Sequence, residues 1–490
     1  MAGTDRHGGN DGRRGSHFLV VALGLQGHLN PARALARRLA RAAAAADAAA
    51  RVTLSVTVAA HGRMFPSLAA PDEEVSDGLV SYAPYSDGLA FGARPRSADE
   101  RARCRRESAE SLSALVRRLA AAGRPVTCVV SALVLPAMDA AARHGVPLAV
   151  YGIQSAAAFA AYFHYFHGGC EQLVAPHAGD PAHEVSIPGL RRPLRIGDLP
   201  SFLVDATGSE ASMAMLQWLR EMVEHIARGK PKVLANTMDV LEATALQALR
   251  QHLDVFAVGP MVPRLQHEVD AMEDDHVLHL YKPDEKGYVE WLDAQPERSV
   301  VYMSYGSIVA YKRKQVEEIL QGLRDCGRPY LWVVPKDSRG QEVERLLENQ
   351  SSAQGMVLEW CDQLKVLSHP SVGCFVTHYG WNSTLEAVTL GVTMVAVPSW
   401  TDQPLNAYLV EEEWRVGVRA ELNNDGLLVA TELTRCIEMV IGDNEKATTI
   451  HSRVKALKEK IRTDVIEGEL VELNLKNFIE AVQASHKRST

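Results

Sequence analysis

Residues 373–403 read GCFVTHYGWNSTLEAVTLGVTMVAVPSWTDQ, and they contain two apolar, strand-like runs separated by one helical pattern. The first run ends at Thr377, a helix is predicted over Thr384–Leu390 and closed by Gly391, and the second run is Met394–Val397. Strands that are apolar on both faces and alternate with helices are typical of parallel sheets. This stretch therefore predicts one strand–helix–strand unit of a doubly wound α/β fold.

The alternation of apolar runs and helical patterns continues along most of the chain and forms two series. In the first series, strands are predicted at Phe18–Leu25, Val52–Val58, Cys128–Val130, Leu148–Tyr151, Lys232–Ala235 and Phe256–Val258. In the second, they are predicted at Val300–Ser304, Tyr330–Val334, Met356–Glu359, Gly373–Thr377 and Met394–Val397. The predicted fold class is α/β, with two tandem Rossmann-like, doubly wound parallel-sheet domains facing a cleft. Such sheets bind ligands beyond the carboxyl ends of their strands.

A change in composition near residue 260 separates the two series. Gly259 and Pro260 are followed by polar, acidic sequence, which is typical of an interdomain linker. Asn30 is predicted to cap the first helix, with Pro31 at its first position and its end at Ala45. The predicted units are a disordered tail (1–16), an N-terminal domain (17–260), a linker (261–285), a C-terminal domain (286–465) and a final segment (466–490) with an amphipathic helix over Leu470–Ala484.

The composition excludes several classes of protein. The chain has 490 residues, 47% hydrophobic and 23% charged, and its 52 Lys and Arg against 60 Asp and Glu give a net charge of −8. This balance excludes a wholly disordered chain, a collagen-like chain and a basic nucleic-acid binder. Seven dispersed cysteines exclude a disulfide scaffold and fit a reducing compartment. No apolar run reaches about 18 residues, so no stable membrane insertion is predicted.

The N-terminal stretch leaves two interpretations open. Met1 to Ser16 is basic and glycine-rich, which fits the charged region of a signal peptide followed by an apolar region at Phe18–Leu25. The same apolar run leads directly into Gly27 and His28, which favours a disordered tail followed by a buried first strand. We therefore predict a cytoplasmic protein. Because the sequence contains no coiled-coil heptads, we predict a monomer.

Motifs for nucleotide cofactors, metals and hydrolytic nucleophiles are absent from the sequence. The turn between the first strand and the first helix has Gly24 and Gly27 without the Gly-x-Gly-x-x-Gly spacing of dinucleotide-binding loops, which weakens the hypothesis of an NAD-dependent oxidoreductase. There is no P-loop, no Cys-x-x-Cys, His-Glu-x-x-His or Asp-x-Asp motif and no Gly-x-Ser-x-Gly elbow. The sequence thus predicts no metal site and no resident cofactor.

Polar residues with unusual spacing cluster between the strand that ends at Thr377 and the helix that follows. Asn382 and Ser383 stand at the start of that helix, where free backbone N–H groups and the helix dipole attract an anion. His378 adds a hydrogen-bond donor, and Gly380 is expected to allow a ligand to approach the backbone closely. The pattern predicts a phosphate site built without a metal.

Side chains suited to the rest of a sugar nucleotide flank this phosphate site in the sequence. Glu386 lies one turn into the helix and can accept hydrogen bonds from a ribose. Trp360 can stack on a flat base with Gln363 one turn away, and Asp402 and Gln403 offer acceptors and donors to sugar hydroxyls. Each residue alone also fits an ordinary structural role as a core tryptophan, helix cap or turn residue. The order of the elements within one segment favours the binding interpretation.

These motifs resemble the signature box of plant family 1 UDP-dependent glycosyltransferases. The matching residues are Trp360-Cys361-x-Gln363, His378-x-Gly380-Trp381-Asn382-Ser383-x-x-Glu386 and Asp402-Gln403. The resemblance covers almost the whole chain and includes Gly27-His28-Leu29-Asn30-Pro31, Asn236-Thr237 and Ser304-Tyr305-Gly306-Ser307. Ser86-Asp87-Gly88 and the stretch from Tyr162 to Gly168 are most similar to the subgroup with anthocyanin 5-O-glucosyltransferases and enzymes that make glucose esters of auxin-like acids.

The resemblance implies a GT-B fold in which the C-terminal domain holds a UDP-sugar, the N-terminal domain holds the acceptor, and the last helix returns to the N-terminal domain. It implies glucose as the sugar, UDP-glucose as a co-substrate, a small-molecule acceptor and no cofactor. By matching position, the resemblance implies that Trp360 stacks on uracil and that the Cys361 backbone binds the edge of that base. The ribose is held by Gln363 and Glu386, and the diphosphate is bound by Ser307, His378, Asn382 and Ser383. The sugar is held by Trp381, Asp402 and Gln403.

The resemblance also implies direct displacement at the anomeric carbon with inversion, and His28 is the matching candidate for the catalytic base. Its place at a positive helix end is expected to favour the neutral imidazole. Many relatives have an aspartate that orients this histidine, but the matching position here is Ala132, beside Ser131. Ser131 is a weak candidate for the orienting role. A carboxylic acid acceptor, with a pKa of roughly 4–5, is already ionised at pH 7 and depends less on a strong base.

The leading hypothesis is metal-independent transfer of glucose from UDP-glucose to a carboxylate or phenolic hydroxyl of a small aromatic or apolar acceptor. Transfer to carbon is an alternative within enzymes. A binder of sugar nucleotides without catalytic activity is an alternative of another class, which only the missing aspartate favours. The acceptor pocket is expected to be formed by loops around Ser86–Gly88, Gln154–Ser155 and Tyr162–His167.

Overall fold

A computed structural model describes residues 15–45, 50–91, 93, 95–262, 280, 287–306, 311–348, 354–464 and 470–489. Most of the predicted tail, nearly all of the predicted linker and Ser307 lie outside these residues. The described chain forms two parallel β-sheets with helices packed on them. These two sheets confirm the predicted α/β fold class.

The strands of the N-terminal part are β1 (His17–Val21), β2 (Arg51–Ser55), β3 (Val75–Ser76), β4 (Ser81–Tyr82), β5 (Cys128–Ser131), β6 (Leu148–Gly152), β7 (Glu184–Val185), β8 (Leu194–Arg195), β9 (Lys232–Ala235) and β10 (Val255–Ala257). Eight of them form a sheet in the order β10-β9-β6-β5-β1-β2-β4-β3, in which all pairs are parallel except β3 with β4. A separate antiparallel ribbon pairs β7 with β8.

The C-terminal part contains the strands β11 (Val300–Ser304), β12 (Tyr330–Val333), β13 (Gly355–Leu358), β14 (Val372–Thr377), β15 (Thr393–Ala396) and β16 (Gly417–Arg419). They form a six-stranded, wholly parallel sheet in the order β13-β12-β11-β14-β15-β16. All residues of β1 and β11 are buried because helices cover both faces of each sheet.

The helices of the N-terminal part are α1 (Gln26–Ala45), α2 (Val58–Met64), α3 (Ala98–Ala121), α4 (Leu135–His144), α5 (Ala156–Phe166), α6 (Glu171–Val174), α7 (Ser201–Val204), α8 (Glu210–Gly229) and α9 (Asp239–Arg250). Those that follow are α10 (Tyr288–Asp293), α11 (Arg313–Asp325), α12 (Gln341–Leu347), α13 (Gln363–Leu367), α14 (Trp381–Leu390), α15 (Gln403–Tyr408), α16 (Ala430–Ile441), α17 (Glu445–Arg462) and α18 (Leu470–Ser489). Short 3₁₀ turns lie at Ala175–His177, Ile196–Asp198 and Lys336–Ser338, and a π-helical turn lies at Leu409–Glu413.

The start of α1 differs from the prediction. The helix begins at Gln26, so the prediction that Asn30 caps it is wrong, and Pro31 lies inside the helix. The Asn30 side chain instead accepts a hydrogen bond from Gln26 Nε2 at 2.5 Å. Strand β1 ends at Val21 rather than at the predicted Leu25, and four residues separate it from α1. The residues between them form a loop at the carboxyl end of the strand.

The last helix packs against the N-terminal sheet. The ring of Phe478 lies 6.0 Å from the ring of Phe18 in β1 and 5.8 Å from that of Phe256 in β10, measured between centroids. Asn474 Nδ2 donates a hydrogen bond to the Ala257 carbonyl at 2.8 Å. The two parts of the chain are therefore linked at α18 as well as across the cleft. Among the described residues, no helix combines the length and apolarity needed to cross a bilayer.

Candidate active site

One cavity of about 1120 Å³ lies between the carboxyl ends of the two sheets. Ser307 lies outside the described residues, and every other residue predicted to act lines this cavity. They are His28 from the N-terminal part and Trp360, Cys361, Gln363, His378, Trp381, Asn382, Ser383, Glu386, Asp402 and Gln403 from the C-terminal part. The topology brings these residues together because the loops after β1, β11, β13, β14 and β15 all open at the same cleft.

The two residues predicted to hold a ribose are hydrogen-bonded to each other. Gln363 Nε2 donates to Glu386 Oε2 at 2.6 Å and to Ser383 Oγ at 3.0 Å. The hydroxyl of Tyr302, a fully buried residue of β11, donates to Gln363 Oε1 at 3.2 Å and thereby fixes the orientation of the amide. Sequence reasoning missed Tyr302 because its strand reads as uniform core. Burial raises the pKa of Glu386 to about 7.

The loop between β14 and α14 is shaped around the ring of His378. A Cβ atom at Gly380 would lie 2.8 Å from His378 Nε2, and one at Gly306 would lie 2.9 Å from the same ring. These glycines therefore make room for the imidazole, whereas the sequence had led us to expect that Gly380 makes room for a ligand. Burial lowers the pKa of His378 to about 4, so the ring is neutral at pH 7. Helix α14 begins at Trp381, which puts the N–H groups of Asn382 and Ser383 in its first turn.

His28 lies in the first turn of α1 and is half-buried. Burial lowers its pKa to about 4, which favours the neutral ring. Its Nδ1 atom is buried and has no hydrogen-bond partner among the described residues. The imidazole is therefore neutral, as a base must be, but no carboxylate of the described residues is bonded to it to stabilise an imidazolium.

The position expected for the orienting aspartate cannot supply that carboxylate. Ala132 is fully buried just after β5. The hydroxyl of the neighbouring Ser131 donates to the Val134 carbonyl at 3.0 Å and accepts from the Val134 N–H at 2.9 Å. Ser131 thus stabilises its own turn, which contains Leu133 at a φ of 60°, and does not orient His28.

Because Pro31 interrupts the hydrogen bonding of α1, the backbone beside His28 can bond to the donor side of the cleft. Pro31 has no N–H, so the Gly27 carbonyl four residues earlier receives no helical hydrogen bond from it. Asn382 Nδ2 donates to that carbonyl at 2.6 Å. The backbone next to the candidate base is thereby held by a residue of the predicted diphosphate site.

The residues predicted to hold the sugar lie at the end of the loop after β15 (Asp402), at the start of α15 (Gln403) and at the start of α14 (Trp381). Gln403 Oε1 accepts from the backbone N–H groups of Ser399 at 2.9 Å and Trp400 at 3.1 Å. With its oxygen held in this way, the amide can present its N–H₂ group as a donor. The indole N–H of the buried Trp381 donates to the Asn236 carbonyl at 2.7 Å, which joins the two halves of the chain beside the site.

The N-terminal half of the cavity is mostly apolar and aromatic. The loops at Asp87 and Gln154 contribute to it as predicted, and so does Tyr162, although Tyr162 lies in helix α5 rather than in the loop that we predicted. Helices α3 and α8 form a further wall of the cavity. Sequence reasoning missed this wall because the residues of each helix that line the cavity have the pattern of an ordinary buried helical face. The apolar lining includes Leu25, Leu133, Ile153, Phe202, Met215 and Trp218.

No arrangement suited to a metal ion accompanies this site in the described part of the chain. Groups of three or more His, Cys, Asp or Glu side chains with metal-binding geometry do not occur there. The residues lining the predicted diphosphate site supply neutral donors and a helix N-terminus instead.

Comparisons with known proteins agree with this geometry. Residues 215–455 match the family model described as "UDP-glucoronosyl and UDP-glucosyl transferase". The chain is 36% identical over 477 residues to anthocyanidin 3-O-glucoside 5-O-glucosyltransferase of Verbena hybrida, with 95% of this chain and 99% of the relative covered. It is 35% identical over 492 residues to indole-3-acetate beta-glucosyltransferase of Zea mays, with 96% and 98% covered.

Among solved structures, Os79 from O. sativa in complex with UDP matches with a TM-score of 0.79 and 27% identity, over 95% of this chain and all of that one. The GT-B fold expected from the resemblance is therefore confirmed, and so is the similarity to the subgroup of anthocyanin and auxin glucosyltransferases. The chain belongs to the plant family of UDP-dependent glycosyltransferases.

Proposed function

We propose that this enzyme transfers glucose from UDP-glucose to a small aromatic or apolar acceptor, by direct displacement with inversion and without a metal ion. One observation carries the proposal: a single cavity joins His28 of the N-terminal half to the whole described set of predicted donor-binding residues in the C-terminal half. A glucosyl group bound between them would have an acceptor on one side and the UDP leaving group on the other.

The proposed donor roles follow the sequence match and the hydrogen bonds among the lining residues. Trp360 and Cys361 line the end proposed for uracil, and the hydrogen-bonded pair Gln363 and Glu386 faces the ribose. His378, Asn382 and Ser383, with the start of α14, bind the diphosphate and stabilise the charge that develops on UDP as it leaves. Trp381, Asp402 and Gln403 contact the glucose. Ser307 is proposed for the diphosphate on its sequence match alone.

His28 is the proposed base for an acceptor hydroxyl. A histidine with a pKa of about 4 and no carboxylate partner in the described part of the chain is a weak base, so its capacity to deprotonate a phenol with a pKa near 10 is small. A carboxylic acid acceptor is already an anion at pH 7 and needs only orientation toward the anomeric carbon. We therefore propose a carboxylate as the preferred acceptor group, which gives a glucose ester as the product.

The acceptor half of the cavity supports an aromatic or apolar body for this carboxylate. Its lining includes Tyr162, Phe202 and Trp218, which can pack against a flat ring. The relative from Zea mays is named for indole-3-acetate, a carboxylate on an aromatic ring system, and the relative from Verbena hybrida is named for a 5-O position. A phenolic hydroxyl is therefore the competing acceptor group. The proposed compartment is the cytoplasm and the proposed assembly is a monomer, both on the sequence alone.

The test measures UDP release from UDP-glucose in EDTA, with pairs of acceptors that differ only in carrying a carboxyl or a phenolic hydroxyl on the same ring system. We expect turnover in EDTA and a higher kcat/KM for the acid of each pair. His28→Ala should slow the phenols more than the acids, because only the phenols need a base. A clear preference for phenols would contradict the carboxylate proposal, and UDP-glucose binding without turnover on any acceptor would contradict catalysis.

A further inference from the structure

Asn406 is a fully buried amide at the junction between the sugar end of the cleft and the N-terminal half. It lies in α15, one turn after Asp402. Its Nδ2 donates to Asp402 Oδ2 at 2.8 Å and to the Tyr379 carbonyl at 3.0 Å, while its Oδ1 accepts from Ser155 Oγ at 2.8 Å. These three contacts join the loop after β15, the loop before α14 and the start of α5.

The chemistry of this position requires an amide. Both Nδ2 hydrogens face acceptors and Oδ1 faces a hydroxyl donor, and only Asn or Gln offers two donors and an acceptor in one planar group. An aspartate here would place a carboxylate oxygen, which has no hydrogen to donate, against Asp402 Oδ2 and the Tyr379 carbonyl oxygen. An apolar side chain would leave buried polar atoms of Asp402, Tyr379 and Ser155 without this partner, which is costly in the interior.

These contacts fix the carboxylate of Asp402 from both sides. Oδ2 accepts from Asn406 and Oδ1 accepts from Thr401 Oγ1 at 2.7 Å. Asp402 is itself 6% exposed, so its orientation depends on these partners rather than on solvent. Through Ser155, which caps α5, the same amide also connects Asp402 to the helix that carries Tyr162 in the acceptor half of the cavity.

We propose that Asn406 is a positioning residue that holds the Asp402 carboxylate in the orientation that recognises the donor sugar and ties that orientation to the acceptor half of the cleft. This inference rests on the proposed function, because it requires Asp402 to contact the glucose. It assigns to Asn406 an effect on sugar recognition that acts through Asp402 and that is larger than its effect on the uracil, ribose and diphosphate contacts.

The experiment compares binding of UDP, which lacks the sugar, with binding and turnover of UDP-glucose and UDP-galactose. Asn406→Asp should change the Kd for UDP by less than about twofold, raise the KM for UDP-glucose about tenfold or more, and lower the preference for UDP-glucose over UDP-galactose about fivefold. Asn406→Ser, a smaller polar change, should shift the same two quantities in the same direction. It keeps the test possible if the aspartate variant does not fold.

Thr393→Val is the matched control. Thr393 is also buried in the C-terminal sheet, where its hydroxyl donates to the Gly373 carbonyl at 3.0 Å, but it lies at the amino end of β15, away from the cleft. The control should lower stability without changing the sugar preference. A double-mutant cycle completes the test: in an Asp402→Ala background, Asn406→Ser should cause no further change in sugar preference.

Two kinds of failure are distinguishable. If the wild-type enzyme turns over UDP-glucose and the Asn406 variants weaken UDP and UDP-glucose equally, or keep the wild-type sugar preference, the positioning role is refuted while the proposed function stands. If the wild-type enzyme neither binds nor turns over UDP-glucose, the proposed function itself fails. An additive effect of Asn406→Ser in the Asp402→Ala background would also refute the positioning role.

Discussion

Binding of UDP-glucose should release protons at neutral pH, because the carboxyl group proposed to hold the ribose is half protonated before the ligand arrives. Burial raises the pKa of Glu386 to about 7, against an ordinary value of 4.5. Ribose hydroxyls donate to an ionised carboxylate, so this contact should lower the pKa of Glu386 toward its ordinary value. At pH 7 this corresponds to release of about half a proton for each UDP-glucose bound.

The same linkage sets the pH dependence of affinity. About nine tenths of Glu386 is ionised at pH 8 and about one tenth at pH 6, so the affinity for UDP-glucose should fall about tenfold between them, or about 1.4 kcal/mol. UDP-glucose is the right ligand because both of its phosphates are fully ionised over this range, and His28 and His378, with pKa values of about 4, stay neutral.

Calorimetry in buffers of different ionisation enthalpy measures the proton count directly. Glu386→Gln should abolish the release and flatten the pH dependence. Glu242→Gln is the matched control, since burial also raises the pKa of Glu242 to about 7, but its carboxylate accepts from the N–H groups of Ala156 and Ala157 outside the cavity lining. Proton release that persists in Glu386→Gln, or none in the wild-type protein, would refute the assignment of Glu386 to the ribose.

Three further predictions concern the base, the domain contact and acid stability. Ala132→Asp should raise the pKa of His28 and increase the ratio of phenol to acid turnover at least about tenfold, and an unchanged ratio would contradict the role of the missing aspartate. Trp381→Phe removes the hydrogen bond to the Asn236 carbonyl and should lower the free energy of unfolding in urea by about 1 kcal/mol; no change would show that the contact is energetically neutral. Burial, and then the neighbouring His252 and His167, lower the pKa of His164 to about 4, so the unfolded state binds a proton more readily than the folded state. The free energy of unfolding should therefore fall by at most about 3 kcal/mol as the pH drops from 6.5 toward 4. His164→Phe should reduce this pH dependence, and an unchanged dependence would assign it to other groups.

The sequence predicted the layers of the fold and the membership of the site better than the ends of its elements. Buried strands such as Val300–Ser304 are apolar on both faces, which gives a strong signal. The signal failed at Asn30, where a cap residue followed by proline looks like a helix start, while the tertiary contact from Asn382 to the Gly27 carbonyl stabilises a helix that begins earlier. The two-residue strands β3 and β4 and the edge strand β16 are too short to show a pattern.

The sequence could not predict the contacts that position the site residues, because these contacts join residues far apart in the chain. Tyr302 acts on Gln363 across 61 positions, and Ser155 meets Asn406 across 251. Each of these residues reads locally as a core, cap or helix residue. The orientation of His28 shows the converse. The sequence showed that the aspartate is absent, and the structure adds that Ser131 is hydrogen-bonded to Val134 and that burial lowers the pKa of His28.

The most direct test of the central claim is the anomeric configuration of the product. UDP-glucose carries its sugar in the α configuration, so a single displacement in this cleft, with excess EDTA present, should give only the β-glucoside or β-glucose ester when the reaction is followed by proton NMR. An α-linked product, or transfer that requires an added divalent cation, would contradict a metal-independent inverting transfer.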